Sequence, residues 1–541
     1  MESLWDALLA AERGRLHCWT GAGFTTVTWP DVVAGARRMV AGLRRAGVGP
    51  GTTVPVVLTN TMETVQGTLA VWLAGGAVAS LPVPARGMEI DAYVRQIDQL
   101  CRQLGGPLLL ADGAMLPALP EPTRAALRAT AWQSLVDSGT AEETPPGDDE
   151  LAFVQYSSGS VGRPKGCMLT PRAISAQLDV IMKMTAAQGE EIVSSWLPLS
   201  HDMGMFGCLL FSWAYDSSLV LSTPERFTLS AGTWFGDMAD FGATMTAGTN
   251  TGLHLATLAR RRRLRAPLAL RCAVIGAERI ERRTLQAACA AFAEDGLRPD
   301  ALMPAYGLAE ATLAVTAAPA GTAPRFITVD PIRLAGNKVS MVPPGDPVAT
   351  TLVSCGRPAP GIVLGALPAD ALGEVVVRSP SLASGYHGDP ELTRQRFAAD
   401  GLHTGDLAFV GDGELYLVGR LDDLVSVGGR NVYTREIELA VDTLAPVRRG
   451  CSTIIDLGGP DTPGRLVLVT ELRNGTIDYQ SVADDVAAIA MAKAGVEVGE
   501  CVFVRRGAVP KTPSGKIQRY RCRQLLMADA LPTVATVGSP S

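Results

Sequence analysis

The stretch Tyr156-Ser157-Ser158-Gly159-Ser160-Val161-Gly162-Arg163-Pro164-Lys165-Gly166 follows four residues, Ala152-Phe153-Val154-Gln155, that read as a strand. Serine hydroxyls and glycine-exposed backbone N–H groups can cradle an anion, and Lys165 adds a point charge. The pattern suits a triphosphate. It is not the G-x-x-x-x-G-K-S/T nucleotide loop, because Gly166 follows the lysine. Taken alone, such a stretch can also be a flexible surface loop. Lysine is scarce here: six of the 48 basic residues are lysine (Lys165, Lys183, Lys338, Lys493, Lys511, Lys516) and the rest are arginine. A retained lysine can mark a place where the planar guanidinium fork would not serve.

Further segments carry polar residues in tight frames. They are Trp196-Leu197-Pro198-Leu199-Ser200-His201-Asp202-Met203-Gly204, Gly276-Ala277-Glu278, Ala305-Tyr306-Gly307-Leu308-Ala309-Glu310, Thr404-Gly405-Asp406, Gly419-Arg420-Leu421-Asp422-Asp423 and Pro510-Lys511-Thr512-Pro513-Ser514-Gly515-Lys516-Ile517. Each has a plainer reading. A single histidine is as often packed as functional; His201 gains from its frame, and His17, His254, His387 and His403 have weaker claims. Asp202 suits a helix cap. Lys511 reads as solvent-facing support.

The elements that must position these residues alternate between helix and strand. Residues 32–46 have helical apolar spacing, Gly47-Val48-Gly49-Pro50-Gly51 breaks it, and 53–58 is a β-branched run. Another helix and a strand over 77–83 follow, and the alternation returns over 191–310. This implies an α/β fold with parallel sheets and helices on their faces. Residues 318–350 are rich in Pro, Gly and Ala, with weak periodicity. Short β segments dominate 373–418, a β-barrel-like part. A boundary near Arg420 divides the chain into 1–419 and a small α/β domain, 420–541, with a helix over 437–444 and a strand over 465–471. Residues 532–541 read as a frayed end.

Composition narrows the class. A chain of 541 residues needs more than one core. Net charge is -6, and the one basic run, Arg260-Arg261-Arg262-Arg263, reads as a solvated helix face, so no nucleic acid is expected. The ten cysteines form no C-x-x-C pair, which argues against zinc. The opening residues lack a basic n-region and an apolar h-region, which places the chain in the cytoplasm with reduced thiols. The apolar run 68–84 is broken by Gly75-Gly76 and is shorter than the ~20 residues that span a bilayer. It reads as a buried helix leading into a strand, with no membrane insertion.

In order and spacing, these motifs resemble those of the adenylate-forming superfamily of acyl-CoA synthetases, peptide-synthetase adenylation domains and luciferases. The match runs from about 30 to 525. Within it the chain is most similar to the fatty acyl-AMP ligases, on Pro304-Ala305-Tyr306-Gly307-Leu308-Ala309-Glu310-Ala311-Thr312-Leu313, Val353-Ser354-Cys355-Gly356-Arg357-Pro358, Gly429-Arg430-Asn431-Val432-Tyr433 and Gly515-Lys516-Ile517-Gln518-Arg519. The long interval between Glu310 and Gly356 resembles that family's insertion, which is thought to hold the small domain away from a CoA-competent pose.

The resemblance implies roles. ATP and Mg²⁺ are the expected cofactors. Ser157, Ser158, Gly159, Ser160, Gly162 and Lys165 would grip the β- and γ-phosphates. Lys516 would bridge the acid and the α-phosphate, and Glu310 would bind Mg²⁺. Tyr306 would stack on adenine beside Gly276, Ala277 and Glu278, with Gly307 next to it. Asp406 would hold both ribose hydroxyls, with Arg420 close by. Asp422 would be the hinge of a mobile C-terminal domain. His201, Asn250, Thr251 and Gly252 would line the acid pocket.

Departures from the family lie around that pocket. Ser200 stands where an aromatic is usual. Thr249-Asn250-Thr251-Gly252-Leu253-His254 replaces a Pro-Asn-Phe-Ala-Tyr-like segment. Arg279 replaces proline after Gly276-Ala277-Glu278, and Asp422 replaces a lysine. These changes weigh against a long-chain fatty acid and leave the ATP chemistry intact. The leading expectation is acyl-AMP formation from a small-molecule acid, then transfer to the phosphopantetheine thiol of an acyl carrier protein in secondary metabolism. The alternatives are an acyl- or aryl-CoA ligase, a diazotase that activates nitrite, and a non-catalytic binding protein on the same scaffold.

Overall fold

The computed structural model describes residues 3–84, 90–105, 108–157, 164–346, 349–421, 424–427, 430–458, 465–511 and 517–538. Two large sheets dominate the N-terminal part. The six-stranded sheet has the order Thr130–Ala131, Leu110–Ala111, Thr53–Val57, Ala77–Leu81, Phe153–Ser157, Lys165–Leu169. Its strands are parallel except for the last pair. The nine-stranded sheet has the order Arg357–Pro358, Ala314–Ala317, Leu302–Gly307, Cys272–Gly276, Met245–Thr249, Ile192–Ser195, Ser218–Leu221, Arg15–Trp19, Phe24–Thr28. Its middle is parallel and both edges are antiparallel.

Both faces of such sheets are covered, so their strands are buried throughout rather than on alternate residues. Ala77–Leu81 is buried at every position, as is Met245–Thr249. One continuous core joins the sheets: Val56, Val78 and Phe153 from the first share it with Leu16, Val193 and Leu219 from the second. Aromatic pairs fill it. Phe153 meets Phe206 edge-on at 5.3 Å, and Trp29 stacks on Trp213 at 4.9 Å.

A five-stranded antiparallel sheet, with Gly401–Gly411 flanked by Gly373–Arg378 and Glu414–Arg420, forms the expected β part. The Pro/Gly/Ala-rich interval is more ordered than its composition suggests. Phe326–Val329 pairs with Thr350–Val353, and the short helix Pro331–Ala335 between them packs on the C-terminal helix Tyr479–Ala494.

The C-terminal unit is a mixed sheet, Val447–Asp456, Leu466–Leu472, Glu500–Val504, Thr533–Gly538. Leu466, Leu468, Cys501 and Phe503 face Val482 and Val486 of the long helix. Their neighbours Val467, Val469, Val502 and Val504 face Cys522 of the helix Arg519–Met527. Two sequence expectations are corrected. The end of the chain is not frayed through residue 538, because Thr533–Gly538 pairs along Glu500–Val504 and supplies that sheet's edge. The four arginines are not a helix face: the helix Asn250–Ala259 stops before them, and Arg260 pairs with buried Asp295 at 2.8 Å.

The C-terminal unit also contains a buried charge cluster. Glu438 is fully buried and accepts from Arg519 Nη2 at 2.6 Å, Ile454 N at 2.8 Å and Arg435 Nη1 at 3.2 Å. Although burial opposes its ionisation, Arg519 and Arg435 hold the carboxyl below the usual range. A carboxyl shifted this way stabilises the fold above its unfolded-state pKa and loses that contribution only as pH falls through the lower folded value. Glu438→Ala is expected to destabilise the C-terminal unit by about 3–5 kcal/mol at neutral pH, through two arginines left uncompensated. Denaturant titration followed by hydrogen exchange would check this, and a loss under 1 kcal/mol would refute it.

Candidate active site

The strand Leu302–Gly307 and the turn Ala309–Ala311 carry Tyr306 and Glu310. A side chain at Gly307 would collide with the carbonyl oxygen of Leu313, so glycine is obligatory there. The close approach folds the chain back at once: Leu308 N donates to Leu313 O at 2.8 Å, and Thr312 takes a φ of +67°. Such a conformation is costly for a β-branched residue and persists only where the surroundings enforce it. Here the Thr312 hydroxyl donates to Ser381 O at 2.6 Å.

Tyr306 donates its hydroxyl to Asp406 Oδ2 at 2.6 Å. Arg420 Nη1 lies 3.4 Å from the other oxygen, Oδ1. Asp406 and Arg420 face each other because Gly401–Gly411 and Glu414–Arg420 pair in register at these residues. Burial and the Asp406 charge push the Tyr306 hydroxyl well above its ordinary pKa, so it stays a donor. A carboxylate flanked this way is an acceptor pair for vicinal hydroxyls.

Four residues beyond Tyr306, Glu310 Oε1 accepts from the hydroxyl of Tyr386 at 2.8 Å. Lys165 Nζ lies 5.7 Å from the centre of the same ring. Lys165 opens the strand Lys165–Leu169, and its Cα partner in the pair is Ser157. The chain therefore leaves one strand and re-enters the next at adjacent points. A side chain at Gly166 would sit 2.7 Å from Val154 Cγ1, so the pair closes tightly there. Tyr386 escaped the sequence reading. The available signal was an aromatic directly after Gly385, in a segment with neither strand nor helix periodicity.

His201 Nδ1 lies 2.6 Å from Asp202 Oδ1. Nδ1 also accepts from Met203 N at 3.3 Å, so the ring is held through that nitrogen. Asp202 also accepts from Met203 N at 2.7 Å, the capping role expected of it, at the head of the π-helix Met203–Leu210.

The 276–281 and 250–252 segments are cross-bonded. Glu278 accepts from Thr251 N, and Asn250 Oδ1 accepts from Glu281 N at 3.0 Å. Asn250 is thus buried and engaged with backbone, Gly252 lies under the Trp196 ring, and Thr251 is exposed. Ala277 holds a φ of +64° between Gly276 and Glu278. Arg279, the residue in place of proline, forms an ion pair with Glu436 of the C-terminal unit, and Arg449 forms another with Glu281. Lys511 is not simply solvent-facing: its Nζ lies 3.1 Å from the buried Cys451 sulfur. Ser158, Gly159, Ser160, Gly162, Asp422 and Lys516 lie outside the described residues, as does the side chain of Ser157.

The sequence matches the family described as AMP-binding enzyme over residues 10–387. The chain belongs to that family. It is an adenylate-forming ligase. It is 32% identical to the medium-chain-fatty-acid–acyl-carrier-protein ligase JamA of Moorena producens over 402 residues, covering 69% of this chain and 67% of the relative. A solved fatty acyl-adenylate ligase of L. pneumophila, in complex with acyl adenylate and pyrophosphate, superimposes with a TM-score of 0.73 at 25% identity, over 99% of this chain and 98% of that one. A chain from structural work on fatty acyl-adenylate ligases of E. coli and L. pneumophila shares the fold with a TM-score of 0.88 at 22% identity, each chain covered to 98%. Among the described residues no helix is long and apolar enough to cross a membrane.

Mg²⁺ fits the residues present. No group of three or more His, Cys, Asp or Glu able to hold a metal occurs among the described residues. Glu310 has Oε1 on Tyr386, and among the described residues its Oε2 has no partner. Mg²⁺ is usually held by one or two carboxylates plus substrate phosphates, which this single carboxylate allows.

For the adenylate-forming ligase, Asp406→Asn is expected to weaken ATP binding by about ten- to a hundredfold, the cost of a charged hydrogen-bond acceptor. Tyr306→Phe keeps the ring and should cost less. Titration calorimetry with ATP would decide, and equal losses for the two variants would mean that the pair only props the fold.

Proposed function

We propose that this enzyme joins the carboxylate of a small-molecule acid to the α-phosphate of ATP, releases pyrophosphate, and passes the acyl group to the phosphopantetheine thiol of an acyl carrier protein. The observation that carries the reading is the double anchoring of one strand and turn. Tyr306 ties it to a diol-binding carboxylate and Glu310 ties it to the phosphate-loop lysine's neighbour. Nucleoside and triphosphate thus have complementary groups four residues apart.

Both reactants are anions, so catalysis consists largely of alignment and charge neutralisation. Lys165 and the loop it closes hold the β- and γ-phosphates. Mg²⁺, when bound at Glu310, neutralises charge on the phosphates. Lys516 aligns the carboxylate oxygen with the α-phosphorus; the P–O bond forms as the bond to pyrophosphate breaks. In the second step the thiol sulfur attacks the acyl carbon, and AMP leaves with the bonding pair. His201 lines the acid pocket in this reading.

Residues 420–541 act in this reading as a lid that carries Lys516 and turns about Asp422. The sheet strand that ends at Arg420 supports a boundary there. The name of the M. producens relative supports a carrier protein as acceptor. The packing of the 326–353 insertion on the C-terminal helix supports acyl-AMP release to a carrier over CoA. Nine buried free cysteines and one half-buried one suit the reducing cytoplasm.

Pyrophosphate release should be measured with ATP and Mg²⁺ across short, long and aromatic acids and nitrite with aryl amines, each with and without CoA. Turnover with a carboxylic acid and no CoA stimulation is expected. Turnover with nitrite alone would overturn the carboxylate reading, and strong CoA stimulation would overturn the carrier protein. Lys516→Ala is expected to lower adenylation by at least about a hundredfold, as for a lost transition-state donor, with ATP binding retained. An unchanged rate would remove Lys516 from the reaction.

A further inference from the structure

We propose that Tyr386 is a positioning residue for the phosphate and metal end of the site, and that residues 381–387 set the spacing between Lys165 and Glu310. The inference rests on the reading of Glu310 as the metal carboxylate.

These seven residues form a strap between two elements from different sheets. On one side the strap runs along Lys165–Leu169: Met168 N donates to Gly385 O at 2.9 Å, Ser384 N to Met168 O at 2.9 Å, and His387 N to Gly166 O at 2.8 Å. On the other side it grips the turn that carries Glu310. Ala383 N donates to Glu310 O at 2.8 Å, Thr312 Oγ1 to Ser381 O at 2.6 Å, and Ser381 Oγ to Ala311 O at 3.2 Å. The strap therefore fixes both backbones at once.

Tyr386 transmits that fixation to the functional atoms. The residue is 4% exposed, and Phe397 packs edge-on against its ring at 5.5 Å. Its hydroxyl donates to Glu310 Oε1, which leaves Oε2 as the ligand oxygen in this reading. Its ring lies beneath the Lys165 ammonium, where the π-face attracts a cation. Groups behind a metal ligand commonly orient it and tune its affinity. The strap's backbone bonds do not need the phenol, so the side chain can be tested apart from the fold.

The test uses the full-length enzyme with a non-hydrolysable ATP analogue, titrated by calorimetry in EDTA and across a Mg²⁺ series, with Mn²⁺ binding followed by electron paramagnetic resonance. Tyr386→Phe keeps the ring and loses the donor. It should raise the half-saturating Mg²⁺ concentration by about tenfold, broaden the bound Mn²⁺ signal and leave nucleotide affinity in EDTA unchanged. Tyr386→Leu should also weaken nucleotide binding in EDTA, because Lys165 loses its ring. Glu310→Gln should abolish the Mg²⁺ enhancement. A wild-type Mg²⁺ titration for Tyr386→Phe, beside a collapsed one for Glu310→Gln, would reduce Tyr386 to packing. Wild-type titrations for both would remove Glu310 from the metal and overturn the inference with it.

Discussion

The carbonyl of Leu313 occupies the space that any side chain at residue 307 would need. From that close approach the rest of the site follows. The chain must reverse within six residues of Gly307, so Tyr306 and Glu310 end up on one short strand-and-turn with no slack between them. The reversal holds Thr312 in the left-handed half of backbone space, and the Thr312 hydroxyl repays part of that cost at Ser381. Tyr306 and Glu310 then reach partners from different elements: Asp406 of the five-stranded sheet on one side and Tyr386 of the 381–387 strap on the other. A single glycine thus sets the distance between the Tyr306–Asp406 pair and the Tyr386–Glu310 pair.

Much of the fold was legible in the sequence, because parallel strands buried on both faces leave continuous apolar runs. The strands Thr53–Val57 and Ala77–Leu81 and the helix Trp29–Arg45 lie where periodicity puts them. Thr533–Gly538 was not legible. An edge strand has one paired side, and its pattern of exposed and half-buried residues looks like a tail. The arginine run misled for a similar reason. Charge alone does not reveal that Arg260 turns back to a buried aspartate.

The motif residues were legible as types, but their partners were not. Asp406 and Arg420 lie fourteen residues apart and meet only through strand register. Tyr386 and Glu310 lie 76 residues apart, and no local spacing connects them. Asn250 shows another partner that spacing hides: its Oδ1 accepts from the Glu281 backbone, as buried amides usually do. The substitution at Arg279, which at sequence level only marked a departure from the family, gains a physical role through Glu436.

The contacts between the large part and the C-terminal unit have a thermodynamic character of their own. Arg279 with Glu436, Arg449 with Glu281, and Thr350 with Glu436 are polar contacts at partly buried positions. Separating charges hydrates polar surface, whereas separating an oily face would expose apolar surface with a large positive heat-capacity change. Both kinds of contact meet here, because Tyr433 of the C-terminal unit packs with Val329, Leu334 and Leu352 of the large part, so opening the interface would also expose apolar surface and raise the heat capacity. Partly buried charge pairs are screened much less than exposed ones, so salt reaches this interface only weakly.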